Sequence, residues 1–446
     1  MRVLLFCLAF ITTVVTEVTT RYMLTLKLLR ENPDFVVERL SVKNFDAKEI
    51  VDDVLRYDSL RREHQTQLDA VLAEQNKKAK EIGTLMKEGR KEQAEEVKAQ
   101  VAKLKVKSSD LEKLMEEENG KMLERLVLLP NIPAPEVPLG KSSEDNVVVR
   151  QGGEIPQLPE NAKPHWELAK DLDFIDFDLG VKLTGAGFPV YKGKGARIQR
   201  ALISFFLDRN TKAGYLEIQP PLVVNQMSAY ATGQLPDKSE QMYHVNLDDF
   251  YLIPTAEVPV TNIYRDTILN REDFPIKMTA YTQCFRREAG SYGKDVRGLN
   301  RLHQFDKVEI VQLSLPENSY NALEGMVKHV ESLVQELELP YRIVRLCGGD
   351  MSFTSAITYD FEVFSAAQKR WLEVSSVSNF ESFQANRMKL RFRDENGKPQ
   401  LAHTLNGSSL ALPRILAALI ENNQTADGRI RLPKALVEYA GFSYID

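Results

Sequence analysis

Cysteine is scarce: the 446 residues hold three, Cys7, Cys284 and Cys347, with no C-x-x-C pair. That excludes a disulfide-stapled module and a thiolate zinc site, and fits a chain folded in a reducing compartment. Beyond the first fifteen residues no apolar run approaches the ~20 residues that cross a bilayer, so no membrane partner is expected for the body of the chain. No excess of positive charge is present: 58 Lys and Arg against 63 Asp and Glu leave a net charge of −5. Any nucleic-acid contact must therefore come from a local basic patch. Also missing are a G-x-G-x-x-G after a strand and a G-x-x-x-x-G-K-[ST], which removes the Rossmann and P-loop routes to a nucleotide. At roughly 150 residues per domain, the length allows two or three domains with sizeable cores.

Residues 1–15 have the texture of a secretory signal, with Arg2 followed by apolar residues broken only by Thr12 and Thr13. The next seven, Thr16 to Tyr22, offer no small-x-small cleavage site, and Met23 opens a different kind of sequence. The expectation is that residues 1–22 are an in-frame extension upstream of a start at Met23, with export or membrane anchoring as the alternative.

Residues 47–82 lack proline and are rich in Glu, Lys, Gln, Arg and Leu, with apolar positions at Ile50, Val54, Tyr57, Leu68, Leu72, Ala79 and Ile82. This predicts one long, mostly polar helix. After a break at residues 87–90, a 4-3-4-3 spacing recurs at Val97, Val101, Leu104, Ser108, Leu111, Met115, Glu118 and Met122. That is a heptad seam with two polar interruptions. A seam this narrow builds no globular core, so an antiparallel two-stranded coiled coil roughly 50 Å long is expected. Heptads alone do not distinguish a nucleic-acid arm from a dimerisation coiled coil. The proline-rich residues 129–139 end the second helix and mark a domain boundary. The domains expected are thus 23–130 (helical arm), 131–164 (linker) and 165–446.

From residue 165 onward β-like runs (250–253, 278–285, 307–313, 341–346, 358–363) cluster mostly without a helix between each pair. Helical stretches are expected at 195–212, 319–336 and 410–422. The pattern predicts an α+β domain with an antiparallel sheet. Charged residues stand inside these β-like segments. Phe285-Arg286-Arg287-Glu288 ends one run, a loop rich in Gly and basic residues follows, and the chain returns through His303 to Glu309. Two antiparallel strands joined by that loop would bring Arg286, Glu288, Phe305 and Glu309 to one surface. Further on, Glu373-Val374-Ser375-Ser376 interrupts a strand-like run, and Asn406-Gly407-Ser408-Ser409 leads into a helix carrying Arg414. Guanidinium forks suit phosphate oxygens, and carboxylates suit Mg2+ or an ammonium group.

These residues carry a resemblance. From Met23 to its end the chain resembles bacterial-type seryl-tRNA synthetases, which are class II aminoacyl-tRNA synthetases. Residues 214–221 (GYLEIQPP) resemble motif 1 with its proline at Pro221, the stretch from Phe285 to Glu309 resembles motif 2, and that from Asn406 to Arg414 resembles motif 3. Thr255-Ala256-Glu257 resembles the family's serine-site signature. Two departures occur: Arg287 stands where a small uncharged residue is common, and Ser409 to Pro413 replaces a stretch where glycines are commoner. Pro413 is tolerable only in the first turn of a helix.

The resemblance implies an antiparallel-sheet class II catalytic domain preceded by a helical arm, a homodimer formed through motif 1, and a cytoplasmic ligase. It implies that L-serine is activated by ATP with Mg2+ and passed to the 3′ end of tRNA(Ser), with tRNA(Sec) as a further acceptor. By position, Arg286 would hold the α-phosphate and Arg414 the γ-phosphate, while Glu288 would meet the adenine edge and Phe305 its face. Arg287, Val374 and Ser375 complete the ATP set, and Glu373 and Ser376 would anchor Mg2+. Thr255, Ala256, Glu257, Glu309, Asn406 and Ser408 would surround serine. Lys294, Arg297 and Arg301 would face the acceptor stem, and Lys98, Lys103 and Lys105 the long variable arm. Thr255 to Glu257 reads equally well as a helix start. Two other readings stand beside the ligase: an enzyme that activates an amino acid without charging tRNA, and a non-catalytic scaffold on the same fold.

Overall fold

The computed structural model describes residues 25–288 and 297–446, so the expectation for residues 1–22 lies outside the described residues. Two compact units are present: residues up to Ser41 with Phe45–Pro130, and Val42–Asn44 with Asn131–Asp446.

The first unit is helical. Short helices α1 (Leu26–Glu31) and α2 (Pro33–Ser41) precede α3 (Lys48–Lys87) and α4 (Lys91–Leu126), which pair along their length. At 1.5 Å per residue these two helices run about 60 and 54 Å. Gly89, with φ 75°, supplies the left-handed residue that ends α3 and lets the chain reverse. The seam expected on α4 holds, with Val97, Ser108, Leu111, Glu118 and Met122 buried. On α3 three of the expected positions are off: Val51 is buried beside Ile50, Val71 is buried while Leu72 is 38% exposed, and Ala79 is exposed. At the first two an apolar neighbour stands beside the expected residue, and composition cannot tell which of the two faces the partner helix; Ala79 lies between two lysines on the solvent side.

Polar groups fix the register of this hairpin. Gln75 Nε2 donates to Leu104 O at 2.9 Å and to Ser108 Oγ at 3.0 Å, so the seam's polar interruption is a cross-helix bond. Asp58, fully buried, accepts from Arg30 (2.7 Å) and Arg61 (3.1 Å), with Arg62 Nε 3.1 Å away. Burial opposes its charge, but the arginine hydrogen bonds outweigh that and hold the carboxyl below the usual range.

The second unit is built on an eight-stranded sheet: β1 (Val147–Gly152), β2 (Leu216–Glu217), β3 (Ile276–Phe285), β4 (Gln304–Ser314), β5 (Tyr341–Arg345), β6 (Ile357–Ser365), β7 (Arg370–Asn379) and β8 (His403–Ala411). The spatial order is β1-β5-β6-β7-β8-β4-β3-β2. Neighbours are antiparallel except β2 and β3, which are parallel. The stretch expected as linker contributes β1, because its Val147-Val148-Val149 run suits an edge strand.

Helices α5 (Gly193–Lys212), α7 (Ser319–Glu336) and α9 (Leu412–Asn422) bury their apolar faces in one core with Val308, Ile310, Phe361, Val363 and Val377 of the sheet. Two short helices, α6 (Glu257–Thr261) and α8 (Phe383–Arg387), stand beside the cleft described below. Strands alternate faces, so Phe305, Lys307 and Glu309 of β4 point away from Val308 and Ile310. Lys43 Nζ donates to the carbonyls of Ser352 (2.9 Å), Phe353 (3.2 Å) and Ser355 (2.8 Å), and Asn131 Nδ2 donates to Thr354 O (2.9 Å). These bonds hold the loop whose Ser352 and Thr354 wall that cleft.

Candidate active site

A cleft of about 580 Å3 opens on the β3–β4–β8–β7–β6 part of the sheet. One end is made by β3 and β4, paired so that Phe285 faces Gln304 and Ala280 faces Glu309. Arg286 follows β3 directly; its Nε donates to Pro254 O at 3.3 Å, and its guanidinium lies 5.2 Å over the Phe305 ring. Glu288 accepts from Arg301 Nη1 at 3.1 Å. The four residues expected on one surface therefore line one cleft: Arg286, Glu288, Phe305 and Glu309.

The opposite end is a buried polar pocket. Glu309, 1% exposed, accepts from Thr255 Oγ1 at 3.2 Å and pairs with Lys307 Nζ at 2.5 Å, while Lys307 also donates to Thr255 Oγ1 at 2.9 Å. Glu309 stands across the β4–β8 ladder from Ser408, and a register shift just beyond this pair adds an extra residue to β8. Glu257, 7% exposed, accepts from Gln384 Nε2 at 2.6 Å, and Gln384 Oε1 accepts from Thr404 Oγ1 at 2.7 Å. Burial, reinforced by the neighbouring charge of Glu309, pushes the Glu257 carboxyl up to about 7. Asn406 of β8 also lines the pocket.

The third wall comes from β7. Residues three apart in a regular strand point to opposite faces, yet Ser376 Oγ donates to Glu373 Oε1 at 3.3 Å. The reason is a bulge: Phe361 pairs with Ser375 and Glu362 with Glu373, leaving Val374 as the extra residue. Val374 itself is buried, and Ser375 Oγ donates to Ser408 O at 2.5 Å, tying β7 to β8. Arg414, in the first turn of α9, donates from Nη1 to Glu373 O at 2.7 Å and from Nε to Asn300 O at 3.0 Å. Pro413 lies in that same first turn, as expected.

Some expected residues are elsewhere. Ala256 is fully buried and caps α6, and Glu257 N donates to Thr255 Oγ1 at 3.2 Å. The helix start and the pocket wall are thus one feature. Arg287 is exposed and does not line the cleft; its backbone N–H bonds Gln241 O at 2.9 Å. Arg301 faces the cleft through its bond to Glu288, and Arg297 lies 4.8 Å over the Trp166 ring. Lys294 lies outside the described residues. On α4, Lys98, Lys103 and Lys105 are exposed, with Lys98 Nζ 2.6 Å from Glu95. His303 bonds Tyr243 Oη at 3.0 Å and stacks on Phe188, and His403 bonds Ser319 Oγ at 2.8 Å.

Sequence reasoning missed Lys307, Gln384 and Asp360, all buried beside the site. Lys307 carried a signal, since it alternates with Phe305 and Glu309 on one strand face. Gln384 carried none, because α8 reaches Glu257 only through the tertiary fold.

Residues 23–133 match the seryl-tRNA synthetase N-terminal domain, and residues 241–423 match the tRNA synthetase class II core domain (G, H, P, S and T). A serine--tRNA ligase of Salinibacter ruber is 51% identical over 424 residues, 95% of this chain and 99% of the relative. The chain belongs to the seryl-tRNA synthetase family. A serine--tRNA ligase of Akkermansia muciniphila is 48% identical over 94% of this chain and 98% of its own. The seryl-tRNA synthetase of Pyrococcus horikoshii, solved in complex with ATP, superposes with a TM-score of 0.90 at 36% identity, covering 95% of this chain and 99% of that one. As a family member the protein is an ATP-dependent serine--tRNA ligase with a class II catalytic domain and a helical arm. Among the described residues no helix is long and apolar enough to cross a membrane.

Proposed function

We propose that the cleft activates L-serine with ATP and that the seryl group then passes to tRNA(Ser), with tRNA(Sec) as a second acceptor. A carboxylate oxygen of serine forms a bond to the α-phosphorus while the bond to pyrophosphate breaks. The 3′-terminal hydroxyl of the tRNA then attacks the seryl carbonyl, and AMP departs. A carboxylate nucleophile is ionised at neutral pH, so the first step needs alignment and charge neutralisation rather than a general base. Arg286, held by Pro254 O and Phe305, is aimed to neutralise the α-phosphate. Arg414, fixed by Glu373 O and Asn300 O, does the same for the γ-phosphate. The adenine would lie between Glu288 and Phe305.

The observation that carries the reading is the pairing of this arginine-rich end with a pocket in which Glu309 faces Ser408 across two strands. Glu309 and Ser408 would hold the serine hydroxyl, with Thr255, Glu257 and Asn406 closing around the ammonium and carboxylate. Because Lys307 already neutralises Glu309, Glu257 is the carboxylate left for the substrate ammonium. Glu373 and Ser376 offer hard oxygen donors on one face, a set that fits Mg2+. Bound there, Mg2+ would offset negative charge on the ATP phosphates. The exposed edge strand β2, with Leu216 63% exposed, supports a homodimer through this segment. A cytoplasmic place of action accords with the chemistry.

The test is serine-dependent exchange of labelled pyrophosphate into ATP without tRNA, with alanine, threonine and cysteine as competitors. Exchange with serine alone is expected. A folded protein that exchanges with no amino acid would overturn the reading and leave a non-catalytic scaffold.

A further inference from the structure

Asp360 of β6 is a carboxylate on the cleft wall with no basic partner among the described residues. It is 9% exposed and it lines the cleft; its carboxyl hydrogen-bonds Ser376, and its Oδ1 has no partner. The neighbouring acids are already paired: Glu362 with Arg342, Asp350 with Asn146 Nδ2 at 2.8 Å, and Glu373 Oε2 with Arg414 Nη1 at 3.4 Å. Among the described residues no basic side chain forms an ion pair with Asp360. An unpartnered carboxylate oxygen taken out of water is costly, and such groups persist where a ligand completes them.

The strand geometry says which ligand. Asp360 is the ladder partner of Ser376, and residues directly opposite in an antiparallel pair share a face. The Val374 bulge turns Glu373 onto that same face, beside Ser376 Oγ. Two carboxylates and a hydroxyl thus converge on the cleft wall below Arg414. They are all hard oxygen donors of the kind that Mg2+ and Mn2+ prefer. With only two carboxylates the set is too small to hold an ion alone, so phosphate oxygens and water would fill the remaining positions.

We infer that Asp360 is a third oxygen ligand, with Glu373 and Ser376, for the divalent cation that enters with ATP. The inference rests on the metal role proposed for Glu373 and Ser376. It makes cation binding depend on ATP, since three protein oxygens would be fewer donors than such an ion takes. It also gives the Val374 bulge a purpose, because without the extra residue Glu373 would point away from Asp360.

The experiment is titration of the full chain with Mn2+ in the presence of α,β-methylene-ATP, following free Mn2+ by electron paramagnetic resonance. Wild type, Asp360→Asn, Asp360→Glu and Glu373→Gln are compared, with a metal-free thermal melt of each. Asp360→Asn is expected to weaken Mn2+ binding about tenfold or more while melting near the wild-type temperature, since the oxygen it replaces has no protein partner. Asp360→Glu should recover part of the binding. Wild-type affinity in Asp360→Asn, with binding lost in Glu373→Gln, would overturn the inference and leave the proposed function intact. Failure of the wild type itself to retain Mn2+ with the nucleotide would overturn both.

Discussion

Glu309 and Ser408 sit directly opposite each other on adjacent antiparallel strands, although nearly a hundred positions separate them in the chain. Opposed residues in such a pair hold their Cβ atoms about 5 Å apart, so a small hydroxyl fits between a carboxylate and a serine. A site that hydrogen-bonds a substrate hydroxyl rejects the analogue lacking it, because its own buried polar groups would go unpaired.

Ser408→Ala is therefore expected to lower kcat/KM for serine by roughly tenfold, about the worth of one hydrogen bond, and to narrow discrimination against alanine. Glu309→Gln should cost more, since it also leaves Lys307 without its counter-charge. Pyrophosphate exchange with each amino acid measures both. An unchanged serine-to-alanine ratio in both variants would remove this pair from the selection of the hydroxyl.

Glu257 gives the site a pH dependence of known sign. Its carboxyl rises to about 7 in the folded protein, above the value of an unfolded chain, so the folded state holds the proton more tightly. Below about pH 4.5 this costs nothing; as pH rises from there to 7 stability is lost, by up to about 3 kcal/mol, and above 7 the loss is constant. Glu257→Gln should remove that slope in denaturant melts at pH 5 and pH 8. In the wild type, KM for serine should rise below pH 7, where the carboxylate needed by the ammonium is protonated.

Arg414→Lys tests the guanidinium fork. Arg414 spends Nη1 and Nε on two backbone carbonyls and still faces the cleft, which a lysine with one nitrogen cannot do. KM for ATP should rise by one to two orders of magnitude, with KM for serine little altered. Equal rises in both would mean that the substitution has disturbed the cleft as a whole.

Charge reversal at Lys98, Lys103 and Lys105 on α4 should leave pyrophosphate exchange intact and weaken tRNA charging. It should also flatten the salt dependence of tRNA binding, since phosphate contacts release counterions. A parallel fall in exchange and charging would defeat the assignment of these lysines to tRNA.

Asp58→Ala should loosen the base of the hairpin by about 3 kcal/mol, because three arginines lose a buried partner. The depressed carboxyl contributes stability above the unfolded value near 4, lost as pH falls through the folded one, so acid unfolding of the variant should be shallower. Circular dichroism of the full chain across pH 2–7 reads this out.

Much of the architecture was legible because it rests on local rules. The hairpin follows from missing prolines, heptads and a glycine turn, and the pairing of β3 with β4 follows from two β-rich runs around a basic loop. Strands β7 and β8 were harder to read. Residues 406–409, Asn-Gly-Ser-Ser, have the composition of a turn, yet they form part of a central strand. Their polarity reflects the cleft they face. The tie of Lys43 and Asn131 to residues 352–355 had no local signature at all.

The sequence by itself determined the α+β class, the helical arm and most of the chemistry-bearing residues, because periodicity, turn residues and short charged motifs are properties of neighbouring positions. Only the tertiary structure decided which of these residues meet. The Val374 bulge turns Glu373 toward Ser376 and Asp360, the β4–β8 register sets Glu309 against Ser408, and Gln384 arrives from a distant helix to hold Glu257. Register and burial depend on contacts between segments far apart in the chain, and the balance of charge in a buried pocket depends on every segment that lines it.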